Sequence, residues 1–321
     1  MLLDPSVIYA IIGFTLASYA VMGNDAVQTL GTFMASNLRV FKWYWLWLAA
    51  SLVLCATLFY GWSIHGDIAY GRLDKIPYKE IQWYHAAAPA VLVVLTRTGI
   101  PVSTTFLVLS VFASTFVMEK MLIKSALGYG VAAVTAYCLW MVVARFINEK
   151  YDKVQKERRA LWRTLQWAST GFLWFTWLQH DMANIAVFLP RELTLPMLLG
   201  VMAILCASLA FIFVNHGGKI NHIVLEKSGA RFMRSATIID LCFAMLLIIF
   251  KEINNIPMST TWVFVGLLAG RELAIATTYR ANYKFTKVFP LVTRDFVKMI
   301  IGLTVSVTIV LAVHYIFRTG A

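Results

Sequence analysis

The chain has 321 residues, of which 60% are hydrophobic and only 14% are charged, and its mean hydropathy is +0.72. A soluble domain of this size needs more polar surface, so the composition excludes a soluble protein and indicates a membrane protein. The net charge of +12 does not indicate a nucleic-acid partner, because Lys and Arg lie in short segments between apolar runs, where they fit membrane topology and anionic headgroups.

Long apolar runs follow one another along the chain, at 43–62, 125–147, 195–214 and 295–317. A hydrocarbon core takes about 20 residues per helix, and backbone polar groups there must be satisfied within the segment. These runs therefore predict membrane-spanning helices. An earlier run begins at Val7, with no Lys or Arg before it and no small-residue cleavage site, and we interpret it as a retained helix.

A repeat organises the polar residues within this apolar sequence. IPVSTT at 100–105 recurs as IPMSTT at 256–261, and the same offset of 156 residues carries Asp25 onto Asp181. Two polar elements in one register predict two copies of one unit. We assign repeat 1 to 1–147, a basic linker to 148–163 and repeat 2 to 164–321.

Charge gives a topology for these copies. The linker is rich in Lys and Arg, so the positive-inside bias makes it cytoplasmic. Three full crossings per copy, with the segments around each Asp and each Pro-x-Ser-Thr-Thr broken or re-entrant, place both termini outside and invert the second copy. Inverted repeats with interrupted helices are typical of secondary transporters. We predict an all-α polytopic bundle in a cell membrane, and whether 26–38 crosses or re-enters stays open.

The Pro-x-Ser-Thr-Thr segments are candidate anion sites. Pro just ahead of a helix and Ser or Thr at its cap are typical of a helix start, whose free N–H groups favour an anion. Two such starts could hold a tetrahedral oxyanion from both sides, with hydroxyl donors from Ser103, Thr104, Thr105, Ser259, Thr260 and Thr261.

Asp25 and Asp181 lie in apolar surroundings, where an ionised acid is costly and marks a candidate functional residue. Beside an anion site, each could bind a coupling cation or accept a hydrogen bond from a proton on the substrate. Phosphate carries such protons near neutral pH and sulfate does not, which favours phosphate. Asn24, His180 and Arg97 are further candidates for binding the substrate, and Gln28 and Asn184 are candidates for completing a Na⁺ site with Asp25 and Asp181.

The segments GNDAVQTLGT at 23–32 and QHDMANIAVFLP at 179–190, each followed by Pro-x-Ser-Thr-Thr, resemble the duplicated signatures of the PiT inorganic phosphate transporter family. The resemblance implies a cation-coupled phosphate symporter in which Asn24, Asp25, Asp181, Asn184 and both Ser-Thr-Thr runs surround phosphate and its ions. The chain departs from the pattern at five positions, which are Gln28, Phe106, His180, Val187 and Trp262. His180 makes proton coupling plausible beside sodium coupling.

Three alternatives stay open. The same fold could carry sulfate or another tetrahedral oxyanion, it could form an anion channel or sensor, or the Asp pair could belong to an intramembrane enzyme. We expect no enzyme, because no nucleophile elbow or phosphotransferase motif is present. The expected partners are inorganic phosphate, Na⁺ or H⁺ and the lipid bilayer, with no cofactor and no nucleic acid. The aromatic-rich segment 41–47 could be a homodimer face or a lipid contact.

Overall fold

The computed structural model describes residues 4–98, 102–146, 159–218, 233–253, 255–278 and 285–318. These ranges contain helices and connecting segments and no strand, which confirms the all-α prediction. The principal helices are α1 Pro5–Asn37, α2 Trp43–His65, α3 Ala87–Thr98, α4 Thr115–Phe146, α5 Arg159–Asp181, α6 Leu195–Val214, α7 Met233–Ile253, α8 Thr260–Thr278 and α9 Phe285–Arg318. Shorter helical pieces cover Trp83–His85, Thr105–Leu109, Ser110–Phe112 and Ala183–Ala186.

Within the described ranges, five helices are long and apolar enough to cross a membrane. They cover Pro5–Asn37, Trp43–His65, Thr115–Val142, Leu195–Val214 and Val288–Ala312. Every apolar run predicted as a span falls on one of them. Large apolar side chains point outward along these helices, among them Leu52, Val134, Leu199 and Leu311. An apolar exterior over a polar-lined interior is the arrangement of a membrane protein.

The two copies contain helical elements in the same order. In the first copy α1, α2, α3, the piece beginning at Thr105 and α4 follow one another, and in the second copy α5 to α9 do so. This correspondence fits the sequence repeat. The opposite orientation of the copies stays a prediction, and the linker prediction at 148–163 falls largely outside the described residues.

The predicted break around the first Asp does not occur. Helix α1 runs without interruption for 33 residues through Asp25, so the segment 26–38 continues it to Asn37 and does not turn back. The reason is that the polar side chains of α1 find partners on other elements, as when Thr32 Oγ1 donates to Asp240 Oδ1 at 2.9 Å. In the second copy the predicted break is present, since α5 ends at Asp181 and a separate turn follows at Ala183–Ala186.

Helix α8 is held against α4 by close backbone approach. A Cβ on Gly266 or Gly270 would overlap the carbonyl oxygens of Tyr129 and Ala133. Small residues four apart allow this approach between membrane helices. The start of α8 is fixed as well, because the Ser259 N–H donates to Ser125 Oγ at 2.8 Å. The second Ser-Thr-Thr therefore sits on a rigid helix pair.

The segment 66–82 between α2 and α3 is packed inward rather than forming a free loop. Its residues Ile68, Leu73 and Ile76 are buried. The Tyr70 hydroxyl donates to the carbonyl of Thr57 at 2.5 Å, and Arg191 donates to the carbonyl of Ile76 at 2.8 Å. These contacts hold the segment against α2 and against the stretch that follows α5.

Candidate functional site

The two signature carboxylates are fully buried and bind equivalent hydroxyls. Asp25 is 0% exposed and Asp181 is 1% exposed. Thr104 Oγ1 donates to Asp25 Oδ2, and Thr260 Oγ1 donates to Asp181 Oδ2 at 2.6 Å. Both partners of the second bond lie 156 residues after those of the first. The sequence repeat is therefore also a repeat of hydrogen bonds.

The signature of the first copy also contacts that of the second. Thr261 Oγ1 donates to Asp25 Oδ1 at 3.0 Å. The side-chain amide of Gln28 lies between these two residues, at 3.3 Å from Asp25 Oδ1 and 3.4 Å from Thr261 Oγ1. The carboxylate of Asp25 thus accepts hydrogen bonds from hydroxyls of both Ser-Thr-Thr runs.

Asn184, which lies 156 residues after Gln28, makes the corresponding bridge in the second copy. Its Nδ2 donates to Asp181 Oδ1 at 2.9 Å, and it lies 3.2 Å from Thr104 Oγ1 and 3.4 Å from Thr105 Oγ1. Thr105 Oγ1 in turn donates to the carbonyl of Met258 at 3.2 Å. The structure therefore joins both acids and both hydroxyl runs in one buried network.

Both Ser residues cap helix starts as the sequence predicts. The N–H of Phe106 donates to Ser103 Oγ, and the N–H of Trp262 donates to Ser259 Oγ, each at 3.3 Å. The first helix start continues as a π-helical turn over Thr105–Leu109, whereas the second continues as the regular helix α8. The N–H groups of a first helical turn have no acceptor within their helix, so they can bind an anion.

Oxygen atoms suited to a cation lie beside each acid. The amide oxygens of Asn24 and Asn184 are buried and accept no hydrogen bond. Asn24 Nδ2 binds Asp25 Oδ1 at 2.8 Å and the Val102 carbonyl at 2.7 Å. Hard cations take carboxylate, carbonyl and hydroxyl oxygens. Each Asp with its neighbouring amide and hydroxyl oxygens could form such a set.

His180 differs from its counterpart Asn24. Its Nε2 lies 2.8 Å from the carbonyl of Leu247 on α7, and its hydrogen-bond partners do not include Asp181. The same Nε2 is 3.4 Å from the guanidinium of Arg72. His180 thus lies at the edge of the network, between α7 and the segment 66–82.

Arg97 does not join the network. Its side chain is exposed and lies over the ring of Tyr19, at 5.9 Å from the centroid. The predicted role of Arg97 as a fixed charge for the anion is therefore not supported by its position, because an Arg near the end of an apolar helix turns to the surface. The buried guanidinium near the signatures belongs to Arg72, which the sequence analysis did not single out.

Asp240 is a second residue that the sequence reasoning missed. It is 1% exposed, and it accepts hydrogen bonds from Thr32 at 2.9 Å and Thr170 at 2.5 Å. The matching position of the first copy is Tyr84, so the repeat gave no signal there. Its position within an apolar run was the available signal.

These features define a class: an all-α membrane protein with two duplicated polar signatures joined at one buried centre. A solved structure titled "The sodium-dependent phosphate transporter" matches 98% of this chain and 100% of its own chain, with a TM-score of 0.63 and 17% sequence identity. No family model and no curated protein matches the sequence. The chain thus shares the fold of that solved structure over nearly its whole length.

Proposed function

We propose that this chain is a secondary active symporter of inorganic phosphate, coupled to Na⁺ or H⁺ and related to the PiT family. The observation that supports it is the convergence of four signature elements. Asp25, Asp181 and the two Ser-Thr-Thr runs come from distant parts of the chain and meet in one hydrogen-bonded network. The match in fold to a sodium-dependent phosphate transporter supports the same proposal.

Phosphate would bind between the two helix starts. Backbone N–H groups and hydroxyls from both sides match the four oxygens of a tetrahedral anion. A carboxylate beside the anion disfavours a fully ionised substrate but can accept a hydrogen bond from a phosphate that keeps a proton. The acids thereby favour phosphate over sulfate.

The hydroxyls suggest how ion and substrate binding are coupled. In the structure the hydroxyls of Thr104, Thr260 and Thr261 donate hydrogen bonds to the carboxylates. A cation on Asp25 or Asp181 would compete for the same carboxylate oxygens and free these hydroxyls to donate to phosphate. Cation binding would thus prepare the phosphate site, with the amide oxygens of Asn24 and Asn184 completing the cation shell.

Transport would follow from the inverted repeat. With the linker at 148–163 in the cytoplasm and both termini outside, one repeat-derived bundle would rock against the other and expose the site alternately. The membrane potential would contribute about 2.3 kcal/mol per net charge moved per 100 mV. Uptake is the expected direction.

The test is uptake of labelled phosphate into proteoliposomes under separately imposed sodium and proton gradients. Gradient-driven accumulation that arsenate inhibits would establish a phosphate symporter and identify its ion. Loss of accumulation in Asp25→Asn and Thr104→Ala would assign it to the network. Lys120→Gln is the matched control, because this side chain is exposed and lies over the ring of Phe116.

Other outcomes separate the alternatives. Accumulation of sulfate but not of phosphate would show that the substrate is sulfate, and the protein would still be a secondary transporter. Flux that dissipates a phosphate gradient without coupling to either cation would identify a channel. Absence of any anion movement by well-folded protein would overturn the proposal.

A further inference from the structure

Arg72 carries a buried guanidinium whose donors are mostly unused. The residue is 1% exposed, and within the described part of the chain only its Nε has a clear acceptor, the carbonyl of Gln179 at 2.8 Å. That bond caps the last turn of α5, where carbonyl groups lack helical partners. The terminal nitrogen NH1 is buried and has no hydrogen-bond partner.

The other terminal nitrogen of Arg72 also lacks a usable acceptor. NH2 lies 3.4 Å from His180 Nε2, which is itself 2.8 Å from the Leu247 carbonyl. A carbonyl oxygen only accepts, so His180 Nε2 must carry the hydrogen, and it cannot then accept from Arg72. Among the described residues, neither terminal nitrogen of Arg72 therefore has an acceptor, and burying such donors is costly.

Two lysines add positive charge around the same point. The Lys251 ammonium donates to the side chain of Gln179 and lies 5.5 Å from the Tyr70 ring centroid. Lys124 donates to the carbonyl of Ile256 at 3.0 Å and interacts electrostatically with Arg72. No carboxylate forms an ion pair with Arg72 or Lys251 among the described residues.

Arg72 remains charged at neutral pH in this environment. Burial lowers the pKa of its guanidinium to about 10, and the carboxylate of Asp181 opposes that shift. The charge of Glu252 also acts on Lys251, but Glu252 is exposed, so the buried charge around Arg72 and Lys251 is mainly positive. A planar guanidinium with free N–H groups is suited to binding an oxyanion in a bidentate manner.

We propose that Arg72 and Lys251 form a second oxyanion site, beside His180 and separate from the two Ser-Thr-Thr helix starts. Its ligand is a phosphate group, either free inorganic phosphate on its way to or from the central site, or the headgroup of an anionic lipid. The inference rests on the proposed function for the identity of the anion and not for the existence of the site. In the sequence, the offset of 156 residues relates Arg72, Lys251 and His180 to Ser228, Leu95 and Asn24, so the cationic side chains of this cluster are not duplicated.

Equilibrium binding of labelled inorganic phosphate to the full chain in phosphatidylcholine nanodiscs tests the proposal. The Thr104→Ala/Thr260→Ala double variant weakens the central site, and phosphate binding should persist in it. Adding Arg72→Gln should weaken the remaining binding about tenfold or more. Lys251→Gln should weaken it less, Arg72→Lys should restore part of it, and Lys120→Gln should leave it unchanged.

A second arm identifies the source of the phosphate group. If phosphatidylglycerol in the nanodiscs displaces the Arg72-dependent phosphate, the site binds a lipid headgroup, and if it does not, the site binds the free ion. Both results keep the oxyanion site. The proposal is overturned if the Thr104→Ala/Thr260→Ala variant, folded by its thermal unfolding, binds no phosphate, or if Arg72→Gln and Lys251→Gln both leave binding unchanged. Failure of phosphate uptake by the wild type would instead concern the proposed function.

Discussion

The rings of Phe106 and Trp262 lie against each other, with centroids 5.5 Å apart and planes inclined by 59°. Each residue directly follows the Ser-Thr-Thr of its copy, and both are buried. The contact therefore joins equivalent positions of the two repeats at the place where the helix starts meet. Phe106 and Trp262 are both positions at which this chain departs from the PiT-like pattern, so the contact is a feature of this chain's own sequence.

This contact predicts coupled effects of truncation. Phe106→Ala and Trp262→Ala should each lower the free energy of unfolding by about 3–5 kcal/mol, because each opens a cavity between the helix starts. The double variant should lose less than the sum, by about 0.5–1.5 kcal/mol, since each single change already removes the ring contact. Denaturant unfolding in micelles of the single and double variants measures this coupling.

Phe59→Ala serves as the control, because this ring is 52% exposed and lies far along the chain from either signature. It should change stability much less. Strict additivity of Phe106→Ala and Trp262→Ala would show that the ring contact contributes nothing of its own.

Much of the site was predictable because the two copies share one register. The offset relates Asp25 to Asp181 and Thr104 to Thr260 in the sequence, and in the structure each Asp binds the Thr of its own copy. The spans could be predicted because uninterrupted apolar runs in lipid have helices as their only local solution. Ser103 and Ser259 could be placed as caps because Pro and Ser at these positions are typical of helix starts.

What depends on tertiary packing could not be predicted. Arg72 follows Gly71 in a short segment that composition assigns to a loop, and only the folding of 66–82 onto α5 buries it. Helix α1 continues through Asp25 because partners on distant elements satisfy its polar side chains, which no local pattern reveals. His180 turns to Leu247 for the same reason.

Thr104 offers a direct test of the hydroxyl network. Thr104→Ala removes the hydroxyl that donates to Asp25 and leaves this buried carboxylate with fewer donors. In the proposed mechanism the same hydroxyl donates to phosphate once a cation has bound, and loss of a hydrogen bond to a charged group costs about 1.5–3 kcal/mol, so phosphate uptake should fall by about tenfold or more. Initial rates of uptake into proteoliposomes measure the effect.

Thr104→Ser keeps the hydroxyl and should retain most of the uptake. Thr260→Ala, the equivalent change in the second copy, should reduce uptake to a similar degree. If Thr104→Ser were as impaired as Thr104→Ala, the methyl group rather than the hydroxyl would be the important part of the side chain.

We expect two threonines to stabilise the fold through their hydrogen bonds to Asp240. Thr32 and Thr170 donate to its buried carboxylate from α1 and α5, and so connect three helices. Thr32→Val keeps the shape of the side chain and removes one donor, which should lower the free energy of unfolding by about 1–3 kcal/mol. The measurement is thermal unfolding in micelles.

Thr304→Val, at an exposed helical threonine that bonds only its own helix, should have little effect. Equal stability of Thr32→Val and the wild type would mean that Asp240 needs only one donor.

The contact between α4 and α8 depends on the absence of a side chain at Gly270. Its nearest neighbours are the backbone atoms of Ala133, which cannot move without displacing α4, so Gly270→Ala forces the two helices apart. Overpacking of this kind costs about 1–3 kcal/mol, and the shift should also displace the start of α8 and weaken phosphate binding. Thermal unfolding and equilibrium binding on one preparation measure both effects.

Gly130→Ala is the matched control, because a Cβ there meets nothing within 4 Å. Since Ala favours a helix more than Gly, this control should be neutral or slightly stabilising. Loss of stability in Gly130→Ala equal to that in Gly270→Ala would contradict the close packing of α8 on α4.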